Sequence, residues 1–580
     1  MLLENMPDSC QAGMPFYEIR EKTYFTCNKN CQILKKGGAM DIDTKDYRWM
    51  KRGSCRNFAE YVLSTTGQKP EDIVNSGKVH YDCPGIVRAA GMVTEAVKKG
   101  RHIEVVADYD ADGIGSAAQM HLILKKLGAK GYRITIPKRM LDGYGINGRI
   151  ISDMPDGSFL ITIDNGIAAN GPISEAKERG MDVLVLDHHL RNGNLPLADL
   201  IIDPEDSPEG WTCPHYCGAG LTYKLAEALF PGETGFLDAL SCFAAISTIA
   251  DAVPVLGDNR NIIRRGINNM NARRCTEGLG AILDYLQQER NVEHIGIGEI
   301  GFKIAPMINA PGRLSDDGGI KILNTFFQKG ENACAYAKEI YELNEERKKL
   351  VADAQEKVKK GSCEGGFLHK GKVIFLYMPE FQEGLCGILA GKLSESDMRP
   401  AFVMTKDIHG NIKGSARSQF GVNVFELLQT ASSHLIRFGG HAPAAGFSFE
   451  EKDLEAVYRA LEAAAPDQVQ GDGNMYYDLD VLPMAVQAVH TGMAQIGVYG
   501  AGFPEPVLKV SGAVEDAQAI GENGEHLSFR MAGVRYIAFY QYPYYEALGC
   551  PQRMTVYGTV GTNWYKGRAY VQVNVSDIEA

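Results

Sequence analysis

The chain has 580 residues, a length that exceeds what one hydrophobic core supports and predicts about three or four domains. Its hydrophobic fraction of 45% and charged fraction of 23% are ordinary for a globular protein, and no apolar stretch is long enough to span a bilayer. The net charge of −12 argues against a protein that coats nucleic acid nonspecifically, but it leaves room for a nuclease with a basic groove on one face.

Residues 1–85 form an N-terminal extension whose role the sequence leaves unclear. The extension does not begin with a basic lead and an apolar segment, so we expect a cytoplasmic protein and not a secreted one. The chain has 13 cysteines, an odd number that indicates reduced thiols and not a disulfide framework. Within the extension, four cysteines lack the spacing of a zinc site, so we predict free thiols at Cys10, Cys27, Cys31 and Cys55.

Residues 86–330 alternate short apolar runs with helical patterns such as that of residues 115–129. This alternation predicts βαβ units and a mostly parallel sheet that is covered by helices. In such sheets, ligands collect at the carboxyl ends of the strands. We therefore expect the chemistry of this domain to lie at that edge of the sheet.

Three aspartates at alternate positions, Asp108, Asp110 and Asp112, follow the apolar run of residues 103–107. Carboxylates that are packed at a strand end repel one another unless cations neutralise them, so this pattern predicts a divalent-metal site. Three later apolar runs also end in residues that can bind a metal, and we interpret each as a further strand end: Asp164, then Asp187 with His188 and His189, then Asp251.

This ligand set also indicates the metal and the reaction. Oxygen ligands with a single imidazole favour Mn²⁺ or Mg²⁺ over zinc. Two such cations that share a carboxylate would lower the pKa of a water molecule and neutralise the charge of a phosphodiester. Gly113 and Gly115 allow the chain to turn sharply into a helix whose N-terminus faces the same pocket. Hydrolysis of a phosphoryl group is therefore the reaction class that the pattern predicts.

The remaining chain predicts three further elements. Residues 331–360 contain no proline and carry apolar residues at helical spacing, which predicts a long connecting helix. Residues 361–500 read as a second α/β domain with two glycine-rich segments. Residues 501–580 alternate short strands with Gly and Asn turns, as in a small antiparallel barrel of the OB type. The predicted fold class is α/β, with a parallel-sheet domain, a connecting helix, a second α/β domain and an OB-like β-barrel.

The order of the motifs DYDADG, ITIDNG, DHH and IADAVP resembles the four motifs of the DHH phosphoesterase superfamily. From about residue 80 to residue 580, the chain also resembles the RecJ family within it, the single-strand-specific 5′ to 3′ exonucleases. Long matching segments include IPKRMLDGYGIN, IAPMINAPGRL, EGLCGILAGKL and FGGHAPAAGFS. The resemblance implies a DHH catalytic domain at residues 86–330 and a DHH-associated substrate-binding domain at residues 361–500.

The resemblance further implies a site for two ions of Mn²⁺ or Mg²⁺, bridged by Asp164. The implied metal ligands are five aspartates and one histidine: Asp108, Asp110, Asp112, Asp164, His188 and Asp251. The implied catalytic residues are Asp110, Asp164, His188 and His189. His189 would contact the scissile phosphate or support the metal shell, and Asp187 would orient a histidine.

The resemblance also assigns residues to the substrate. A terminal 5′ phosphate would be bound by Arg313, Ser415, Arg417 and His441. Arginine suits this role because its planar fork gives two parallel hydrogen bonds to phosphate oxygens. Arg139 would clamp the strand as it enters. In the barrel, the aromatic residues that could stack on bases, with core packing as the open alternative, are Tyr536, Phe539, Trp564 and Tyr565.

The implied function is a monomeric exonuclease of DNA repair and recombination that releases 5′ mononucleotides from single-stranded DNA. A helicase and a single-strand-binding protein are the expected partners, and no membrane is involved. One alternative is a DHH phosphodiesterase for short oligonucleotides or cyclic dinucleotides, but the barrel and the connecting helix argue against it. The other alternative is a non-catalytic DNA-binding scaffold of the same ancestry, in which eroded metal ligands would be expected.

Two positions depart from the family pattern. Phe381 and Gln382 stand where the family pattern has Trp and His, and Phe503 stands where it has Asn. Neither position belongs to the expected metal ligands. We therefore expect hydrolysis to be retained and substrate handling or processivity to differ.

Overall fold

The computed structural model describes residues 47–75, 82–191, 193–361, 365–419, 421–467 and 474–580. Within these ranges the chain forms four β-sheets, of two, six, seven and five strands. Cys55 is a free thiol, as predicted, whereas Cys10, Cys27 and Cys31 lie outside the described residues. None of the helices in these ranges combines the length and the apolar character needed to cross a bilayer.

The described part of the N-terminal extension packs against the C-terminal domain. It consists of one strand and two helices: β1 (Arg48–Lys51), α1 (Phe58–Thr66) and α2 (Pro70–Val74). β1 pairs in parallel with residues 474–477, and Trp49 stacks on Tyr557 with ring centroids 4.1 Å apart. The extension also contributes three buried side chains to the C-terminal core: Tyr61, Val62 and Ile73.

Five parallel strands form the central sheet of the next domain: β2 (Ile103–Ala107), β3 (Tyr132–Thr135), β4 (Phe159–Ile163), β5 (Asp182–Leu186) and β6 (Leu200–Ile202). Their order across the sheet is β3-β2-β4-β5-β6. The chain adds β3 on one side of β2 and the later strands on the other side, so the topological switch point lies between β2 and β4. Such a switch point opens a crevice at the carboxyl ends of the two strands. Helix α3 (Ile86–Lys98) precedes β2, and three helices connect successive strands: α4 (Ala111–Leu127), α5 (Gly148–Ser152) and α6 (Asn170–Glu178).

The second half of this domain is helical. Its helices are α7 (Gly218–Leu229), α8 (Thr234–Ala250), α9 (Gly257–Asn271), α10 (Glu277–Arg290), α11 (Ala305–Leu314) and α12 (Gly318–Thr325). Asp251 directly follows α8, so the prediction that its apolar run ends a strand is wrong. The physical reason is burial: α8 is buried at nearly all positions from Leu240 to Thr248, and such a helix lacks the periodic polar residues that distinguish it from a strand.

The predicted connecting helix and second α/β domain are confirmed. α13 (Gly330–Lys359) is a single helix of 30 residues. Six strands follow, in the sheet order β11-β12-β10-β9-β8-β7: β7 (Phe367–Lys370), β8 (Ile374–Tyr377), β9 (Ala401–Lys406), β10 (Ile412–Arg417), β11 (Arg437–His441) and β12 (Ala444–Phe449). The helices of this domain are α14 (Glu383–Asp397), α15 (Val424–Thr430) and α16 (Leu454–Ala464).

The C-terminal domain is β-structure, as predicted, and most of its strand pairs are antiparallel, but residues 479–481 pair in parallel with residues 508–510 and residues 535–538 pair in parallel with residues 572–575. Strand β13 (Asn474–Tyr477) pairs with β1, and helices α17 (Val486–Ile496) and α18 (Tyr542–Ala547) flank the main sheet. That sheet has seven strands: β14 (Leu479–Val481), β15 (Leu508–Ala513), β16 (Glu515–Ile520), β17 (His526–Met531), β18 (Val534–Ala538), β19 (Arg553–Tyr565) and β20 (Arg568–Glu579). Their order is β14-β15-β19-β20-β18-β17-β16.

A buried arginine joins the C-terminal domain to the parallel-sheet domain. Arg260 of α9 donates hydrogen bonds to the carbonyl oxygens of Val498 and Ile496, at 2.6 and 2.7 Å. Its guanidinium also lies 5.0 Å from the centre of the Phe503 ring, which is fully buried. The departure at Phe503 is therefore part of the interface between these domains. Tyr536 is also fully buried in the C-terminal core, which removes it from the candidates for base stacking.

Candidate active site

The first acidic motif surrounds the N-terminus of α4, directly after β2. Asp110 caps this helix, and its carboxylate accepts hydrogen bonds from the backbone N–H groups of Asp112 and Gly113 at 2.9 and 3.2 Å. A Cβ at Gly113 would lie 2.2 Å from the carbonyl oxygen of Asp108, so the turn requires glycine. The strand end thus brings Asp108, Asp110 and Asp112 to one side of the sheet.

Asp112 is buried against the N-terminus of α7. Its carboxylate accepts hydrogen bonds from the backbone N–H groups of Gly218 and Ala219, at 2.6 and 2.9 Å. Burial nevertheless raises the pKa of Asp112 above its usual range. A Cβ at Gly218 would lie 2.7 Å from the Cβ of Asp164, so the start of α7 touches two of the predicted ligands at once.

Asp164 follows β4 at the switch point and has an unusual backbone. Its φ angle is 60°, in the left-handed region that residues other than glycine rarely adopt. Burial, followed by the charges of Asp112, Asp110 and Asp108, raises the pKa of Asp164 well above the usual range of a carboxyl group. A cation would relieve this repulsion between carboxylates.

His188 lies between the carboxylates. Its Nε2 is 3.0 Å from Oδ1 of Asp164 and 3.6 Å from Oδ2 of Asp112, and its Nδ1 is 3.7 Å from Oδ2 of Asp251. Burial lowers the pKa of His188, which favours the neutral imidazole that binds metals. Burial and the charge of Asp112 raise the pKa of Asp251 to about 8.

Three overlapping groups of these side chains place one ligand atom each within 4.8 Å of the others: Asp108 with Asp110 and Asp164, Asp112 with His188 and Asp251, and Asp164 with His188 and His189. The donor set fits divalent cations, because carboxylate oxygens dominate it and one buried oxygen, Oδ1 of Asp108, has no hydrogen-bond partner. The structure therefore brings together all six side chains that were predicted as ligands.

Asp187 holds the histidine pair, as the sequence analysis expected for a residue that orients a histidine. Its carboxylate accepts hydrogen bonds from the backbone N–H groups of Ile167 and His188, both at 2.8 Å. Nδ1 of His189 lies 2.8 Å from Oδ1 of Asp187. Burial opposes protonation of His189, but the bond to Asp187 outweighs it and raises the pKa of His189 to about 9.

Beside this pocket lie arginines without carboxylate partners. The guanidinium of Arg139 lies 3.8 Å from the centre of the Tyr109 ring, and Nη1 of Arg313 donates to the carbonyl oxygen of Gly384 at 3.2 Å. Burial and the positive charge of Arg139 lower the pKa of Arg313 to about 10, and Arg417 adds to the effect. In the described part of the chain, no carboxylate forms an ion pair with any of these three arginines. This cluster can bind an anion.

The start of α14 lies between Arg313 on one side and Ser415 and Arg417 of β10 on the other. A Cβ at Gly387 would lie 2.7 Å from Nη2 of Arg417 and 3.5 Å from Oγ of Ser415. A Cβ at Gly384 would lie 2.3 Å from the carbonyl oxygen of Arg313. Glycine at both positions keeps this turn open, and the N-terminus of a helix favours an anion.

His441 is the predicted substrate residue that lies at the margin of this group. It is exposed at the end of β11 and pairs with Ala444, which on its other side pairs with Arg417. One strand, β12, therefore separates the backbones of His441 and Arg417. Their side chains make no direct contact among the hydrogen bonds and ion pairs of the residues that the structure describes.

Four residues that the sequence analysis did not single out support the site. Oδ1 of Asn309 accepts a hydrogen bond from the backbone N–H of Ala111 at 2.8 Å. The Asn165 side chain donates to the carbonyl oxygens of Val106 in β2 and of Ile163 at the end of β4. The Tyr144 hydroxyl donates to the carbonyl oxygen of Asp164 at 2.9 Å. The charge of Arg347, from α13, lowers the pKa of Arg313. No periodicity or charge pattern marks these positions, but Tyr144, Asn165 and Asn309 lie within segments that carry the family resemblance.

Three family models match the chain in the order of its domains. The DHH family N-terminal domain matches residues 102–248, the DHHA1 domain matches residues 370–466, and the RecJ OB domain matches residues 482–577. The single-stranded-DNA-specific exonuclease RecJ of Haemophilus influenzae is 31% identical over 466 residues, which cover 76% of this chain and 80% of that protein. The protein of the same name from Thermus thermophilus is 31% identical over 504 residues, with coverage of 85% and 71%.

A solved structure extends the similarity to three dimensions. The crystal structure of Thermus thermophilus RecJ in complex with Mn²⁺ has a TM-score of 0.73 and 29% identity to this chain. The match covers 90% of this chain and 76% of that one. The chain therefore belongs to the RecJ family of single-stranded-DNA-specific exonucleases.

Proposed function

We propose that this protein is a metal-dependent exonuclease that degrades single-stranded DNA in the 5′ to 3′ direction and releases 5′ mononucleotides, in DNA repair and recombination. The observation that carries this proposal is the convergence of six potential metal ligands in one pocket, with unpaired arginines beside it. The names of the Haemophilus influenzae and Thermus thermophilus relatives support single-stranded DNA as the substrate.

The ligand set supports two divalent cations, and the Thermus thermophilus relative has been crystallised with Mn²⁺ and with Mg²⁺. Asp108, Asp110 and Asp164 would hold one ion, and the second would be held, with Asp164 shared, by Asp112, His188 and Asp251. When bound, these cations would neutralise the charge of the phosphodiester and lower the pKa of the attacking water.

The histidine pair divides two tasks. His188, in its neutral form, serves as a ligand between Asp164 and Asp112. His189 is held through Nδ1 by Asp187, and its Nε2–H, which lies 3.3 Å from the Tyr144 hydroxyl oxygen, would be shared with an oxygen of the scissile phosphate. The pKa of about 9 for His189 supports this role as a donor at neutral pH.

The arginine cluster would bind the 5′ phosphate at the end of the strand. Arg313 and Arg417 approach the open first turn of α14 from opposite domains, together with Ser415. A terminal phosphate carries more charge than an internal one, and two planar guanidinium groups distinguish them by bidentate hydrogen bonds. Arg139 would grip the entering strand, and His441 would lie at the outer edge of the phosphate site.

The trailing strand would follow the C-terminal domain. A cavity of about 380 Å³ there is lined by Arg530 and Arg535 together with Tyr565 and Tyr570. Positive groups that track phosphates and aromatic rings that stack on bases are the usual means of binding single strands without sequence preference. Selectivity for single strands would be steric, from a channel between the two α/β domains that would be too narrow for a duplex.

Two further assignments belong to the same proposal. We expect the protein to act as a monomer in the cytoplasm, where a helicase and a single-strand-binding protein would supply and cover its substrate. Sedimentation of the pure protein and fractionation of cells test these two statements. The intact metal ligands argue against a non-catalytic scaffold, and the cavity of the C-terminal domain argues against a dinucleotide phosphodiesterase.

Digestion of end-labelled DNA tests the proposal. We expect a 5′-phosphorylated single strand to be degraded with Mn²⁺, with mononucleotides as the first product, while blunt duplex resists. Asp164→Ala should abolish this degradation, whereas the exposed Asp353→Ala should retain it. Degradation from the 3′ end, cleavage confined to dinucleotides, or DNA binding without cleavage would each refute the proposed function.

A further inference from the structure

One tyrosine links two of the proposed catalytic residues. The Tyr144 hydroxyl donates a hydrogen bond to the carbonyl oxygen of Asp164 at 2.9 Å, and its oxygen lies 3.2 Å from Nδ1 and 3.3 Å from Nε2 of His189. We propose that Tyr144 is a positioning residue that sets the bridging carboxylate of Asp164 and the imidazole of His189 relative to each other. The effect of Tyr144 on DNA cleavage rests on the proposed nuclease function, whereas its contacts with Asp164 and His189 do not.

The backbone of Asp164 needs external support. A left-handed residue other than glycine, with φ at 60°, persists only where its surroundings hold it in place. Two hydrogen bonds hold this residue: its N–H donates to the carbonyl oxygen of Leu186 at 2.9 Å, and its own carbonyl accepts from Tyr144. The backbone conformation at Asp164 directs its carboxylate toward two of the ligand groups. A hydrogen bond that holds the carbonyl of Asp164 therefore also holds the carboxylate in the metal site.

The same hydroxyl faces His189. Because the hydroxyl proton is donated to Asp164, the lone pairs of the oxygen remain for the imidazole. The two rings are nearly perpendicular, with an interplanar angle of 72° and centroids 5.6 Å apart. Asp187 holds Nδ1 of His189 at 2.8 Å, so Tyr144 and Asp187 together fix the orientation of this ring.

The loop that carries Tyr144 is itself anchored next to Asp164. The backbone N–H of Ile146 donates to Oδ1 of Asn165 at 3.2 Å. Gly145, with φ at 67°, approaches the same side chain so closely that a Cβ would lie 3.2 Å from the Cβ of Asn165. The position of Tyr144 is therefore fixed relative to the strand end that bears Asp164, as a positioning residue requires.

The ring of Tyr144 also connects the metal ligands to the arginine cluster. Its edge meets the Tyr109 ring with centroids 6.5 Å apart at 86°, and the guanidinium of Arg139 covers Tyr109. About half of the Tyr144 side chain is exposed, at 51%. Loss of the hydroxyl alone should therefore leave the fold intact and release only the two contacts that it makes.

The test compares Tyr144→Phe with a matched control, Tyr132→Phe. Tyr132 lies at the opposite end of the sheet, at the start of β3, and its hydroxyl also contacts a histidine, at 3.1 Å from Nδ1 of His121. Mn²⁺ binding is measured by titration calorimetry without DNA. The kcat and KM values are measured on 5′-phosphorylated single-stranded DNA at saturating Mn²⁺, and circular dichroism checks the fold.

For Tyr144→Phe we expect Mn²⁺ affinity to fall about tenfold and kcat to fall about 10–100-fold, as for losses of groups that orient metal ligands. KM and the circular dichroism spectrum should be unchanged, and Tyr132→Phe should match the wild type throughout. If Tyr144→Phe also matches the wild type, the proposal is wrong. A raised KM with unchanged kcat and Mn²⁺ affinity would also overturn it, because Tyr144 would then contact DNA. If the wild type does not cleave DNA but Tyr144→Phe still weakens Mn²⁺ binding, the nuclease assignment fails and the positioning role stands.

Discussion

Gly218→Ala should disturb the metal site without changing any predicted ligand. The added Cβ would lie 2.7 Å from the Cβ of Asp164 and 3.1 Å from Oδ2 of Asp112. Ordinary contacts begin at 3.4 Å, so Asp164 or α7 must move by about 0.7 Å, the difference between 3.4 and 2.7 Å. Alanine suits the first position of a helix, so this collision is the only cost.

The size of the effect follows from that displacement. Misplacement of a reacting group by about 1 Å can cost about 100-fold in rate, so we expect the digestion of single-stranded DNA to slow by about this factor. Overpacking in a buried site should also lower the free energy of unfolding by about 1–3 kcal/mol. Urea denaturation without metal and a Mn²⁺ titration of the digestion rate measure the two effects separately.

Gly235→Ala is the matched control. Gly235 lies in the first turn of α8, and no atom lies within 4 Å of the position that its Cβ would take. This variant should keep wild-type activity and be unchanged or slightly more stable. Wild-type activity and Mn²⁺ dependence in Gly218→Ala would refute the reasoning, because two ligands would then tolerate a displacement that the structure does not allow.

Four further predictions concern charge at the site. Asp108→Asn should raise the unfolding temperature of the metal-free protein and abolish Mn²⁺-dependent cleavage, because burial and the charge of Asp110 raise the pKa of Asp108. The metal-free protein should lose stability as the pH rises toward 8. Folded Asp251, with a pKa of about 8, keeps a proton that Asp251 of the unfolded chain releases at lower pH. Greater stability at pH 8 than at pH 5 would contradict this prediction. Mn²⁺ at 100 times its dissociation constant should add about 2.7 kcal/mol per site to the free energy of unfolding in denaturant melts. Arg417→Lys should reduce the preference for 5′-phosphorylated over 5′-hydroxyl DNA about tenfold in competition assays, because lysine lacks the planar fork.

The metal site could be predicted because its ligands follow strands that have a clear sequence signature. Asp108 and Asp164 come directly after five-residue apolar runs, and both runs are buried strands of the parallel sheet. Parallel βαβ topology places the carboxyl ends of both strands at one edge of the sheet. Chemistry that depends on strand ends can therefore be inferred before the fold is known.

Asp251 shows the limit of this reasoning. Its position at the end of an apolar run was predicted, but the run is the buried helix α8 and not a strand. A helix that is covered on all sides carries the same residues as a buried strand, so composition alone does not separate the two. The ligand was nevertheless identified, because the end of either element can bring a carboxylate to the same pocket.

Contacts between distant segments could not be predicted from local patterns. Three elements separate Gly218 from Asp164 along the chain, and the need for glycine arises only from their approach to 2.7 Å. Tyr144 reads as an ordinary loop residue until its hydroxyl is placed on Asp164. The pairing of β1 with β13 likewise joins segments near opposite ends of the chain. Tertiary packing, and no local preference, determines each of these contacts.

The most direct test of the central claim is to locate Mn²⁺ in crystals of the protein by anomalous scattering. The account predicts two peaks per chain: one among Asp108, Asp110 and Asp164, and one among Asp112, His188 and Asp251 with Asp164 shared. In Asp164→Ala crystals both peaks should weaken or vanish. Mn²⁺ bound elsewhere, or no ion bound among these side chains in the wild type, would contradict the account.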